Sequence, residues 1–85
     1  MQYIVTTRDT ESGKTTESSH GDELAAVQLW SAAELYANTE PVSITTPELR
    51  AREIELTPDD VTVSGGGFVV DGLSLAEWAN DMTMD

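Results

Sequence analysis

The shortness of the chain and its lack of cysteine constrain the fold more than any motif does. Its 85 residues can build one domain around one modest hydrophobic core, and a chain of this size buries only about 60–65% of its unfolded surface. Disulfides, thiolate metal sites and cysteine nucleophiles are all excluded. We therefore predict a single domain over residues 1–85 that acts through a surface, a shallow groove or an oligomer interface.

The N-terminal segment MQYIVTTRD lacks the basic region and apolar run of a signal peptide. No stretch of 18 apolar residues is present that could cross a membrane. The absence of cysteine also fits a reducing compartment. These features predict a cytoplasmic protein without a membrane partner.

The first half of the chain predicts a β-hairpin followed by an amphipathic helix. Residues 2–8 alternate between two faces, residues 11–14 contain a glycine turn, and residues 15–18 suit a return strand, so residues 2–18 predict a hairpin. Residues 22–37 show helical spacing, and either Ser19 or Asp22 could cap the first turn. The predicted buried stripe comprises Ala26, Leu29, Trp30, Ala33, Tyr36 and Ala37.

The middle of the chain predicts short strands. Residues 42–45 alternate, and residues 46–48 could open either a turn or a single helical turn. The segment Glu53–Thr57 alternates cleanly and predicts a strand, while residues 61–63 and 68–70 predict a second hairpin. The glycines at positions 65–67 indicate either a wide turn or a loop that contacts a partner.

The last element is the most clearly marked. Ser74 and Glu77 have the spacing of a capping box and predict the start of a helix. The apolar stripe of this helix comprises Leu75, Trp78, Ala79 and Met82. The predicted order is ββαβββα, which indicates an α+β domain with a mainly antiparallel sheet and two helices packed on one face.

The excess of acidic residues limits the classes of partner. Sixteen Asp and Glu residues against four Lys and Arg residues give a formal net charge of −12. Such a surface is repelled by nucleic acid and anionic lipid and is attracted to basic protein surfaces. The acids are spread along the chain without a run of five, so they are expected on a folded surface rather than in an acidic tail.

No residue pattern indicates catalysis, a metal ion or a cofactor. Residues 12–15 (SGKT) resemble the end of a phosphate-binding loop, but Arg8 occupies the position of its first glycine. His20 is the only histidine, lacks partners at a suitable spacing and is expected in an exposed loop. Asp59, Asp60 and Asp71 are expected to be turn residues. We therefore predict a protein that is not an enzyme and takes no cofactor.

Residues 2–37 (QYIVTTRDTESGKTTESSHGDELAAVQLWSAAELYA) combine a hairpin that has a polar turn with an alanine-rich amphipathic helix. In this layout and in its charge the chain resembles small phage-encoded inhibitor proteins of the anti-CRISPR and anti-restriction type. The resemblance implies a non-enzymatic inhibitor, acting in the host cytoplasm, that binds the DNA- or RNA-handling surface of a host defence complex.

The leading hypothesis is therefore a protein-binding inhibitor that acts as a nucleic-acid mimic. Its carboxylates would engage Arg and Lys side chains of a nucleic-acid-binding complex, without direct contact with nucleic acid. The candidate partner-binding residues, chosen because strands and turns expose them, are Glu11, Glu17, Glu48, Glu53, Glu55, Asp59 and Asp60.

Three alternatives stay open at this point. A small acidic structural or accessory domain, from a phage or a high-salt source, would use its charge for solubility only. An enzyme or small-molecule binder would need a concave pocket with converging polar groups, for which no candidate set is present. A homodimer formed through Glu53–Thr57 as an edge strand is compatible with either binding hypothesis.

Overall fold

The first sheet has three antiparallel strands in the order β2-β1-β3, in a computed structural model that describes residues 1–84. Strand β1 spans Tyr3–Asp9 and strand β2 spans Thr15–His20. The Asp9 carboxylate shapes the turn between them by accepting hydrogen bonds from the backbone N–H groups of Glu11 and Ser12. The predicted hairpin is confirmed.

Helix α1 and strand β3 complete this half of the chain. Helix α1 spans Glu23–Leu35, and strand β3 spans Thr39–Thr45 and pairs with β1. Asp22 is the N-cap, and its carboxylate accepts a hydrogen bond from the N–H of Leu24. Of the two predicted capping residues, Asp22 is therefore the one that caps the helix.

The C-terminal end of α1 differs from the prediction. Tyr36 leaves the helical conformation and becomes the C-cap. The hydroxyl of Thr39 donates to the carbonyl of Ala33, which satisfies one of the last helical acceptors. Tyr36 and Ala37 are exposed, so their predicted burial is wrong because the helix ends at Leu35 before they reach the sheet.

Helix α2 spans Pro47–Ala51, so a helical turn is the correct alternative for residues 46–48. Thr46 is its N-cap, and the Thr46 hydroxyl accepts a hydrogen bond from the N–H of Leu49. Pro47 occupies the first turn, where its missing N–H costs no helical hydrogen bond.

The predicted strand Glu53–Thr57 is wrong because its first residues close helix α2. Glu53 has a φ of 61°, in the left-handed region. Its N–H donates to the carbonyl of Arg50, and the N–H of Ile54 donates to the carbonyl of Leu49. These two hydrogen bonds define a Schellman motif, which turns the chain out of an extended conformation.

Only one residue of this segment pairs with a strand. Leu56 exchanges two backbone hydrogen bonds with Ile44 of β3, each with an N···O distance of 2.9 Å. The expected homodimer edge at Glu53–Thr57 therefore has no strand ladder to offer a second copy.

The second sheet has the order β4-β5-β6, and all of its pairs are antiparallel. Its strands span Thr62–Ser64, Gly67–Val70 and Leu73–Ser74. Strands β4 and β5 form the predicted second hairpin. Strand β6 was not predicted, although Asp71 and Gly72 form the kind of two-residue turn that precedes a hairpin strand.

The backbone conformation and a close contact explain why three consecutive glycines occupy positions 65–67. Gly65 and Gly66 have φ values of 61° and 80°, which a two-residue hairpin turn requires. At Gly67, a Cβ atom would lie 3.0 Å from the Glu23 carboxylate, so a side chain there would force that carboxylate to move. The turn is therefore a tight one rather than the wide turn predicted.

Helix α3 spans Leu75–Thr83 and follows β6 directly. Ser74 is its N-cap, and its hydroxyl accepts a hydrogen bond from the N–H of Glu77, as the capping-box spacing predicts. Leu75 and Ala79 are buried, whereas Met82 is 46% exposed, so its predicted place in the stripe is wrong.

The main core lies where α1 meets both sheets. The rings of Trp30 and Phe68 pack edge to face, with centroids 5.7 Å apart and an interplanar angle of 86°. The buried residues of the core are Tyr3, Val5, Ala26, Val27, Trp30, Ile44, Leu56, Val61, Phe68, Val70 and Leu75. The α+β class is confirmed, with two sheets and three helices in place of the one sheet and two helices predicted.

Candidate functional site

The three arginines of the fold interact with groups of the protein itself. Arg8 of β1 lies directly opposite Glu40 of β3, and the Nε atom of Arg8 is 2.8 Å from Oε1 of Glu40. Because side chains alternate along β1, Arg8 and Thr6 lie on the face of the first sheet that is turned away from α1. Glu40 is therefore locally neutralised on that outer face.

Arg50 of α2 joins two of the candidate partner-binding residues. Its Nη2 atom donates to Oε1 of Glu17 at 2.6 Å and to Oε1 of Glu55 at 3.2 Å. The hydrogen bond from Arg50, helped by its charge, holds the pKa of Glu17 below its ordinary value, and Glu17 raises the pKa of Arg50 in turn. A partner that used Glu17 or Glu55 would have to displace Arg50.

Arg52 connects the end of α2 to the end of α3. Its Nη2 atom donates to the backbone carbonyl of Thr83 at 3.0 Å. Lys14, the single lysine, is exposed in the turn between β1 and β2. All three arginines thus interact with groups of the protein itself.

The remaining candidate acids divide into two kinds. Asp60 is a turn residue, as expected, because its Oδ2 atom accepts hydrogen bonds from the N–H and the hydroxyl of Thr57, at 2.9 and 3.1 Å. The other members are exposed, and their carboxylates make no hydrogen bond or ion pair within residues 1–84: Glu11, Glu48, Glu53 and Asp59.

Four further acids have the same properties but were not predicted as partner-binding residues. In the part of the chain that the structure describes, these exposed carboxylates also have no hydrogen bond or ion pair: Glu34, Asp71, Glu77 and Asp81. Glu77 and Asp81 are four residues apart on α3 and therefore share one face of that helix. Their position away from the apolar stripe was the signal that could have identified them.

Glu23 differs from these acids because it holds the fold together. Its Oε2 atom accepts a hydrogen bond of 2.8 Å from the backbone N–H of Phe68, which ties the start of α1 to β5. Burial and, second, the nearby Glu23 charge raise the pKa of the Tyr3 hydroxyl. Glu23 is consequently not available to a partner without loss of this contact.

Ser18 and His20 form the one nucleophile–imidazole contact among residues 1–84, with 3.0 Å between Oγ and Nε2. The two residues alternate on the same face of β2, so regular strand geometry brings them together. His20 is half-buried in this strand, and its expected place in an exposed loop is wrong. No group of three or more metal-ligating side chains occurs in residues 1–84.

Two shallow cavities indent the surface. One, of about 170 Å³, lies between the N-terminus, α2 and α3 and is lined in part by Glu48 and Asn80. The other, of about 160 Å³, lies between α1 and the first sheet. Within residues 1–84, no helix has the length and apolar character needed to span a membrane.

Comparison with known protein families, curated proteins and solved structures finds no match to this chain. The interpretation of the acidic surface therefore depends on the residues and contacts described above.

Proposed function

We propose that this chain is a non-enzymatic inhibitor that binds the basic, nucleic-acid-binding surface of another protein, such as a host defence complex. Its carboxylates would occupy the positions that phosphates occupy in the natural ligand. The observation that carries this proposal is the set of exposed carboxylates without an internal partner, on a chain of net charge −12.

The arrangement of the ion pairs supports the proposal. Arg8 pairs with Glu40, and Arg50 pairs with Glu17 and Glu55, so two arginines offset most of the charge of these three carboxylates. The acids without partners lie instead on turns and on the exposed faces of the helices. Uncompensated negative charge on protruding elements favours contact with a basic groove, and it would speed association at low ionic strength.

The test uses two variants that each lose four negative charges. The first replaces the unpaired candidate acids and is Glu11→Gln, Glu48→Gln, Glu53→Gln and Asp59→Asn. The matched control replaces unpaired acids outside the candidate set and is Glu34→Gln, Asp71→Asn, Glu77→Gln and Asp81→Asn. Wild-type chain is immobilised, proteins are captured from a bacterial lysate, and the captured protein is purified for affinity measurements.

We expect capture of a nucleic-acid-binding protein whose binding weakens as salt is raised and is displaced by its own DNA or RNA. Loss of the candidate charges should weaken binding about tenfold or more, and the control should weaken it less. An affinity that does not change with salt would contradict the proposal. Capture of nothing that handles nucleic acid would favour the alternative in which the charge serves solubility only.

A further inference from the structure

Helix α1 is covered by the second sheet on one flank only. Phe68 of β5 packs against Trp30 on that flank, and the Phe68 N–H donates to Glu23 at the start of the helix. Residues that lie about a quarter turn away from Trp30 face the gap between α1 and the first sheet instead. This second flank has no covering element among residues 1–84.

A groove of about 160 Å³ runs along the uncovered flank. Its floor is formed by Thr7 of β1 and Thr39 of β3, so it lies over the end of the sheet where β1 finishes and β3 begins. The helix contributes its wall, which consists of Leu29, Ala32, Ala33 and Tyr36. A cavity of about 150 Å³ can hold a benzene molecule, so this groove can accept one leucine or phenylalanine side chain.

Two large apolar side chains remain exposed where α1 ends, and Tyr36 is one of the residues that line the groove. Leu35 is 81% exposed and Tyr36 is 62% exposed, and they are neighbours at the end of α1. A tyrosine that borders an unfilled apolar groove is the type of residue that anchors protein–protein contacts. The groove and Tyr36 together form an apolar patch.

The charge around this patch selects a basic occupant. Helix α1 ends here with no basic residue in its last turn, so its negative dipole end is not compensated. Asp9 lies opposite Thr39 in the sheet register, and Glu11 follows in the adjoining turn. Asp9 and Glu11 are accompanied by one base, Lys14, in the same hairpin.

We propose that the groove binds one apolar side chain from a basic segment of the partner protein. A Lys or Arg next to that apolar residue would lie against the C-terminal end of α1 and the carboxylates of Asp9 and Glu11. This inference depends on the proposed function, because it names the site at which the acidic surface gains specificity for one segment of its partner.

The probe is a short synthetic peptide with a central leucine flanked on both sides by lysine and arginine, together with the same peptide carrying serine in place of leucine. Binding to the full chain is followed by amide chemical shifts in NMR. The test variant Ala32→Leu fills the groove with a good helix former and removes no charge. The control Ala76→Leu makes the same change at a half-buried position of α3.

We expect the leucine peptide to shift the amides of Thr7, Leu29 and Tyr36, and to bind about tenfold more tightly than the serine peptide, as burial of one apolar side chain requires. Ala32→Leu should remove this difference and Ala76→Leu should retain it. Tyr36→Ala, which removes one wall, should weaken binding of the leucine peptide with less risk to packing, since Tyr36 is exposed.

Equal affinity for both peptides, with amide shifts spread over all acidic segments, would contradict the proposal that the groove binds an apolar side chain. Such a result would still be compatible with salt-dependent binding of a basic partner. Concentration-dependent shifts of the same amides without peptide would also overturn the proposal, because they would show that a second copy of the chain occupies the groove. Failure of the lysate capture, by contrast, would concern the proposed function and not the groove.

Discussion

Replacing Glu23 by alanine tests the connection between α1 and the second sheet. The carboxylate accepts a hydrogen bond of 2.8 Å from the N–H of Phe68, at a half-buried site. A hydrogen bond to a charged group contributes about 1.5–3 kcal/mol. Glu23 is also the acid in the first turn of α1, which adds about 0.3–1 kcal/mol through the helix dipole. We therefore expect Glu23→Ala to lower the free energy of unfolding by about 2–4 kcal/mol.

The matched control is Glu77→Ala. Glu77 is likewise the acid in the first turn of a helix, but its carboxylate makes no hydrogen bond within residues 1–84. Only the dipole contribution of about 0.3–1 kcal/mol should be lost there. Urea unfolding followed by circular dichroism gives both free energies, and hydrogen exchange reports on the amide of Phe68. Equal destabilisation by the two variants, or unchanged exchange at Phe68, would refute the tether between α1 and β5.

Three further predictions concern single residues. Glu23→Gln should lower the pKa of the Tyr3 hydroxyl part of the way towards its ordinary value, since burial remains; NMR titration of the Tyr3 ring measures this. The pKa of Glu17 is lowered by Arg50, so this ion pair stabilises the fold above the unfolded pKa of Glu17 and ceases to do so as pH falls through the folded value. Arg50→Gln should accordingly move the midpoint of acid unfolding to higher pH. Glu53→Gly should raise the free energy of unfolding by about 1 kcal/mol, measured in urea, because glycine adopts a positive φ without strain.

The elements that could be predicted from the sequence are those with local signals. Alternation around a glycine turn identified the first two hairpins, and the Ser74 cap identified the start of α3. The segment Glu53–Thr57 has the same alternation and yet forms no strand. The reason is that the backbone N–H groups of Glu53 and Ile54 donate to carbonyls of α2 in the Schellman motif. The alternation of side chains contains no sign of these hydrogen bonds.

Less of the candidate site than of the fold could be predicted from the sequence. The exposure of the acids was predictable because acidic side chains are rarely buried. Which of them are neutralised was not, since Arg50 reaches Glu17 across 33 positions of sequence and only the folded sheet brings the two together. Burial of Tyr36 was predicted from helical spacing, but the spacing does not show where α1 ends.

The edge-to-face contact between Trp30 and Phe68 has a consequence for synthesis of the chain. Strands β1, β2 and β3 and helix α1 are complete once Thr45 has been added, whereas Phe68 follows 23 positions later. At about 5–20 residues per second, Phe68 is added to the chain about 1–5 s after Thr45. A folding intermediate in which only the first sheet and α1 have formed would present an apolar helix face, where a chaperone could bind and where its acidic residues would oppose association with other chains.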